Sequence, residues 1–147
     1  MHFRPCIDIH NGKVKQIVGG SLTDQGNQAK ENFTASENAD YYAKMYQKDG
    51  LIGGHVILLN PVSSEYYRET KAQAILALGA YPKGLQVGGG IHAENAEEFL
   101  EAGASHVIVT SYVFRDGKIN WENMENLKHA VGKDNVVIDL SCRKKED

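Results

Sequence analysis

Cys6-Ile7-Asp8-Ile9, near the start of the sequence, and Val137-Ile138-Asp139-Leu140, near its end, are the two stretches that decide the fold. Each is a short run of apolar, mostly β-branched residues that carries one aspartate close to its end. A carboxylate in an otherwise buried strand is costly unless it is paired. Two such aspartates at matching positions of two strands therefore predict an acid/base pair that faces one cavity.

Between the two copies, short apolar strands alternate with amphipathic helices. The pattern predicts strands over residues 3–9, 55–59, 85–87, 105–109 and 136–140, and helices over residues 36–48, 65–78, 93–101 and 120–131. Residues 13–18 alternate between polar and apolar and predict a hairpin extension, whereas residues 19–33 form a polar loop. Strands that are continuously apolar and separated by helices indicate a parallel sheet.

Two architectures fit this alternation: an open doubly wound sheet, or part of an eightfold barrel. Polar or glycine residues end all five predicted strands, namely Asp8, Asn60, Gly88, Thr110 and Asp139. A barrel uses the carboxyl ends of many strands for its site, whereas an open sheet concentrates its ligand residues at one switch point. The sequence therefore predicts an α/β fold, the first four and a half βα units of a (βα)8 TIM barrel.

The sequence is shorter than that of a complete barrel of this kind. A chain of 147 residues has the size of one domain, but a complete barrel needs about 250 residues. We therefore expect residues 1–147 to be a single domain, a truncated barrel that ends after the fifth strand. A half-barrel has open sheet edges, so we expect self-association or a complementing C-terminal half-barrel.

Composition narrows the classes of partner. The chain is 41% hydrophobic and 24% charged with a formal net charge of -3, which gives no electrostatic footprint for nucleic acid, and no apolar run has membrane-spanning length. The two cysteines have no metal-like spacing, so we expect no metal site and reduced thiols. We expect a cytoplasmic location, with a plastid as the alternative if a transit peptide has been removed.

Gly88-Gly89-Gly90 lies between a predicted strand and a predicted helix. Glycines there allow an anion to approach the backbone and the helix amides closely, which favours phosphate binding; the alternative is a tight turn that needs positive φ. A dinucleotide fingerprint would require an acidic residue at the end of the next strand, where the chain has Thr110-Ser111 instead. Those hydroxyls could complete a phosphate cup or simply cap a helix.

Asp8 and Asp139 also have a structural alternative. For general acid/base chemistry the two carboxyl groups must differ in protonation state, which distinct environments can impose. Each aspartate could instead be a buried acid that is held by a basic neighbour, for which Arg4, Lys15 and Arg143 are candidates.

The chain closely resembles the eukaryotic-type phosphoribosylformimino-5-aminoimidazole carboxamide ribotide isomerases of histidine biosynthesis. The stretches that carry this resemblance are IDIHNGKVKQIVGG (7–20), GGHVI (53–57), LQVGGGI (85–91), HVIVTS (106–111) and VIDLSCRK (137–144). The resemblance implies a (βα)8 barrel that converts an aminoaldose to an aminoketose by an Amadori rearrangement. It also implies a small-molecule substrate with two phosphates and no cofactor or metal.

The resemblance assigns roles to individual residues. The general base falls on Asp8, and the second acid is assigned to Asp139, although bacterial members place that acid at the position of Ser141. Asp139 and Ser141 share one face of the strand because side chains alternate. Phosphate or substrate binding is assigned to Gly20, Gly88, Gly89, Gly90, Thr110, Ser111 and Arg143. The chain departs from the family at Leu58, where many members have an acid, and at His92, where bacterial members often have arginine.

Two other functions stay open at this point. One is the cyclase subunit of imidazole glycerol phosphate synthase, a sister barrel; residues 16–20 and 141–143 favour the isomerase. The other is a non-catalytic half-barrel that binds a phosphorylated ligand or a partner chain. The sequence leaves open whether the chain is active alone.

Overall fold

The computed structural model describes residues 2–17 and 31–140. Its strands are β1 (Cys6–His10), β2 (Lys13–Ile17), β3 (Glu31–Thr34), β4 (Gly54–Leu58), β5 (Leu85–Gly88), β6 (Val107–Val109), β7 (Phe114–Arg115), β8 (Lys118–Ile119) and β9 (Val136–Ile138). Its helices are α1 (Ala39–Lys48), α2 (Tyr67–Ala80), α3 (Ala93–Glu101) and α4 (Trp121–Val131). Within the described ranges, no helix is long and apolar enough to cross a membrane.

The order of the strands separates the two predicted architectures. The main sheet runs β3-β2-β1-β4-β5-β6-β9, and β1, β4, β5, β6 and β9 are parallel to one another. These five strands lie side by side in chain order, without the reversal that defines a doubly wound sheet. The predicted α/β fold is therefore confirmed as consecutive βα units of a partial TIM barrel.

The core lies between one face of this sheet and the helices. Ile7 and Ile9 of β1 are fully buried there, as are Val56 of β4 and Val87 of β5. Because side chains alternate along a strand, Asp8 lies on the opposite face. That face would line the interior of a closed barrel.

Turn chemistry explains the two hairpins. Asn11 and Gly12 have positive φ values of 51° and 71° and join β1 to β2, which confirms the predicted hairpin extension. Asp116 and Gly117, with φ values of 52° and 72°, join β7 to β8 in the same way. Asn-Gly and Asp-Gly are the residue pairs that favour such two-residue turns.

Some predicted boundaries were wrong. The polar loop over residues 19–33 was predicted without a strand, but β3 pairs with β2 in antiparallel fashion. The β7–β8 hairpin was also not predicted. Helix α1 begins at Ala39, three residues later than predicted, with Asn38 at its N-cap. α3 spans the predicted residues.

A buried polar network ties the first two βα units together at the carboxyl edge of the sheet. Asn60 is 3% exposed and Thr70 is 0% exposed. Asn60 Oδ1 accepts hydrogen bonds from Asn11 N at 2.7 Å and from Thr70 Oγ1 at 2.7 Å. Thr70 Oγ1 accepts one from Gly12 N at 3.0 Å. Asn60, which was considered as a functional strand-end residue, therefore has a structural role.

Thr70→Val tests this network. The substitution preserves shape but removes the hydroxyl, which leaves the Gly12 amide without its acceptor and Asn60 with one donor fewer. We expect a loss of about 1–3 kcal/mol in the free energy of unfolding, measured by urea denaturation. Thr70→Ser is the matched control, since it keeps the hydroxyl and loses one methyl group, about 1 kcal/mol. Equal losses in the two variants would contradict a role for the hydroxyl.

Candidate active site

Asp8 lies on the inner face of β1, half-buried. It pairs in register with Ile57 of β4, which in turn pairs with Gly88 of β5. Asp8 lines a cavity of about 360 Å³ together with Lys15 of β2 and residues of α1. Cys6 Sγ donates a hydrogen bond to Asp8 Oδ1 at 3.1 Å.

Asp139 follows β9 and is exposed. Its backbone N–H donates to the Val109 carbonyl oxygen at 3.0 Å, which continues the pairing of β9 with β6. Asp139 lines a cavity of about 400 Å³ that also includes Thr110 and Ser111. The structure thus brings three of the predicted site residues together.

Asp8 and Asp139 line different cavities in this structure, whereas the sequence predicted that they face one. The reason is their position along the sheet: β1 and β9 are the first and last of the five parallel strands. Both aspartates lie toward the same carboxyl edge, but three strands separate them.

The local structure explains why each of the three consecutive positions is a glycine. At Gly88 a Cβ would lie 3.2 Å from both Ile108 Cβ and Ile57 Cδ1, and at Gly89 it would lie 2.0 Å from the Leu58 carbonyl oxygen. Gly90 has a φ of +70° but open space around the position of a Cβ. The triple glycine is therefore not by itself evidence for phosphate, and the open side of Gly90 is where an anion could approach.

The loop after β5 contacts the loop after β6. Asn95 of α3 holds the first of these loops, because its Oδ1 accepts from His92 N at 2.9 Å and its Nδ2 donates to the Gly90 carbonyl oxygen at 3.0 Å. The ring of His92 lies 6.2 Å from the ring of Tyr112, measured between centroids. The glycine loop (residues 88–90) and the segment that contains Thr110 and Ser111 are therefore neighbours, as a phosphate site shared by the two segments requires.

The β7–β8 hairpin is the part of the site that the sequence prediction missed. Phe114, Asp116 and Gly117 line the same cavity as Asp139. The hairpin is anchored at Thr110, whose carbonyl oxygen accepts from Phe114 N at 2.9 Å. The Asp-Gly pair was the signal that could have revealed it.

Three residues named in the sequence analysis lie outside the described ranges: Gly20, Ser141 and Arg143. Among the described residues, no group of three or more His, Cys, Asp or Glu side chains is placed to hold a metal ion.

Comparison with known proteins identifies the family. Residues 3–146 match the family described as "Histidine biosynthesis protein". The chain belongs to this family. Membership confirms the resemblance to proteins of histidine biosynthesis that the sequence motifs indicated.

Family members with high identity are named as isomerases. A chloroplastic imidazole-4-carboxamide isomerase of Medicago truncatula is 53% identical over 152 residues, which cover 99% of this chain and 46% of the relative. The corresponding isomerase of Yarrowia lipolytica is 45% identical over 148 residues, 98% of this chain and 53% of the relative. That of Saccharomyces cerevisiae is 46% identical over 147 residues, 99% of this chain and 53% of the relative. The chain spans about half the length of these relatives.

The glycine loop gives a matched pair of substitutions. Gly89→Ala would place a Cβ 2.0 Å from the Leu58 carbonyl oxygen at a φ of +97°, so we expect backbone strain and overpacking together to lower the free energy of unfolding by about 3 kcal/mol. Gly90→Ala meets only the strain of positive φ, about 1 kcal/mol. Urea denaturation of both variants measures the difference, and equal losses would contradict the close approach of the loop to β4.

Proposed function

We propose that this chain supplies the first half of the active site of an aldose–ketose isomerase of histidine biosynthesis. The observation that carries the proposal is the position of Asp8, on the inner face of β1 toward the carboxyl edge of a barrel-type sheet. That position suits a general base. Identities of 53% and 45% to relatives that are named as isomerases support it.

The proposed reaction is an Amadori rearrangement of a ribosyl aminoaldose. Asp139, as a carboxylic acid, protonates the ring oxygen, and the ring opens to a Schiff base. Asp8, as a carboxylate, then removes the proton from C2. The resulting enolamine gains a proton at C1 and loses the proton of its C2 hydroxyl, which gives the aminoketose. Two carboxyl groups in different environments meet the need for one acid and one base, and no cofactor takes part.

One phosphate of the proposed substrate lies at the glycine loop and the adjacent hydroxyls. Gly88, Gly89 and Gly90 supply backbone close to the start of α3, and Thr110 and Ser111 supply hydroxyl groups from the neighbouring loop. Gly20 and Arg143 are proposed as further substrate contacts on the basis of the family resemblance alone.

A second chain segment is proposed to complete the barrel. Residues 1–147 form one domain in this proposal and provide five of the eight strands. In β1, Ile9 and His10 pair with β2, which leaves Cys6–Asp8 outside that pairing, and β9 is one end of the described sheet. A complementing C-terminal half-barrel would pair with the first part of β1 and with β9 and bring Asp8 and Asp139 to one cavity.

A second candidate function is supported by the separate cavities of the two aspartates. In that case the chain is a non-catalytic half-barrel that binds a phosphorylated ligand at Thr110 and Ser111. The names of the relatives favour the isomerase over the cyclase subunit. The chloroplastic relative supports a plastid location.

Turnover of the aminoaldose substrate tests the isomerase proposal. The chain is assayed alone and after mixing with the separately produced C-terminal half of the Medicago truncatula relative, and we expect activity in the mixture. Asp8→Asn should lower kcat about 10²–10⁴-fold, because it removes the base without a change of shape.

Asp49→Asn, at the exposed end of α1, is the matched control and should retain full activity. An inactive mixture that still binds inorganic phosphate would favour the non-catalytic half-barrel. Full activity of Asp8→Asn would contradict the assignment of the base.

A further inference from the structure

Cys6 is hydrogen-bonded to the proposed base, Asp8. It lies two residues before Asp8 on the same face of β1, since side chains alternate along a strand. Its Sγ donates to Asp8 Oδ1 at 3.1 Å. A thiol is a weak donor, but an ionised acceptor strengthens the hydrogen bond.

The backbone of Cys6 is fixed on both sides. His55 N of β4 donates to the Pro5 carbonyl oxygen at 2.8 Å. On the side away from β4, Tyr46 Oη of α1 donates to the Cys6 carbonyl oxygen at 3.2 Å. Burial raises the pKa of Tyr46, so its hydroxyl stays protonated and remains a donor. The backbone that carries the thiol is therefore held between β4 and α1.

The protonation state of Cys6 suits a donor and not a nucleophile. Although Cys6 has exposed surface, partial burial raises the pKa of its thiol well above the usual range, and the hydrogen bond to Asp8 and the negative charge of Asp8 raise it further. Because the thiolate is the reactive form of cysteine, a raised pKa favours the protonated form of this thiol, which can donate a hydrogen bond. The titratable groups around it are Asp8 of β1, Lys15 of β2, Tyr42 and Tyr46 of α1 and, in register on β4, His55.

We infer that Cys6 is a positioning residue for Asp8. The Cys6 thiol holds the carboxylate in one orientation by its hydrogen bond to Oδ1, which leaves Oδ2 as the atom that accepts the substrate proton. The inference rests on the proposed function of Asp8 as the base. A base must point at the proton that it removes, and a misplacement of about 1 Å can lower the rate substantially. Cys6 itself exchanges no proton with the substrate.

Alkylation of Cys6 tests the contact without any need for turnover. In the chain with Cys142→Ser, the rate of reaction with iodoacetamide at about pH 8 reports the thiolate fraction of Cys6, which has exposed surface. Asp8→Asn removes the charge that, together with burial, raises the thiol pKa, so we expect alkylation to become about tenfold faster. Asp49→Asn should leave the rate unchanged. An unchanged rate in Asp8→Asn would overturn the inference.

Turnover by the chain mixed with the C-terminal half-barrel tests whether the Cys6 contact affects catalysis by Asp8. Cys6→Ala should lower kcat about tenfold with little change in KM, and Cys6→Ser, which keeps a donor, should restore kcat to within about threefold. Full activity of Cys6→Ala, or a serine variant no better than alanine, would overturn the positioning role. Activity that survives Asp8→Asn would instead refute the proposed role of Asp8 as the base. The alkylation rates would still show whether Cys6 and Asp8 are in contact.

Discussion

Parallel pairing between the strands of successive βα units is the constraint on which the rest of the structure depends. Because β1, β4, β5, β6 and β9 run in one direction and in chain order, their carboxyl ends meet at one edge of the sheet. The loops that begin there contain Gly90, Thr110 and Asp139. The same pairing buries Ile7 and Ile9 against the helices and so turns Asp8 to the opposite face. The position of the site is thus a consequence of strand order.

The polar and glycine residues at that edge have two different roles. Asn60 and Gly89 help to build the edge. Asn60 joins β4 to the first hairpin and α2 through hydrogen bonds. Gly89 allows the loop after β5 to lie directly against the backbone of β4. The carboxyl groups of Asp8 and Asp139 instead line cavities, although the backbones of both residues take part in strand pairing. Cys6 belongs to neither group, because it contacts a candidate catalytic group and not the edge itself.

Local sequence patterns predicted much of the fold but less of the site. Apolar runs bounded by glycines are local signals, and they were enough to predict helix α3 and the strands on either side of the triple glycine. β3 was missed because its polar sequence has no apolar period, and the β7–β8 hairpin was missed although Asp116-Gly117 marks its turn. The distance between Asp8 and Asp139 depends on how the sheet closes, which no local pattern encodes. The Cys6–Asp8 contact could have been predicted, since residues i and i+2 share a strand face.

The location of both aspartates in one active site is the central claim, and aspartate carboxyl ¹³C NMR tests it most directly. The chain is labelled at its aspartates, mixed with the C-terminal half of the Medicago truncatula relative and titrated with the aminoketose product, and the signals are assigned with Asp8→Asn and Asp139→Asn. We expect the signals of Asp8 and Asp139 to shift together, with one dissociation constant. A shift of one signal while the other stays unchanged at saturation would contradict a shared site.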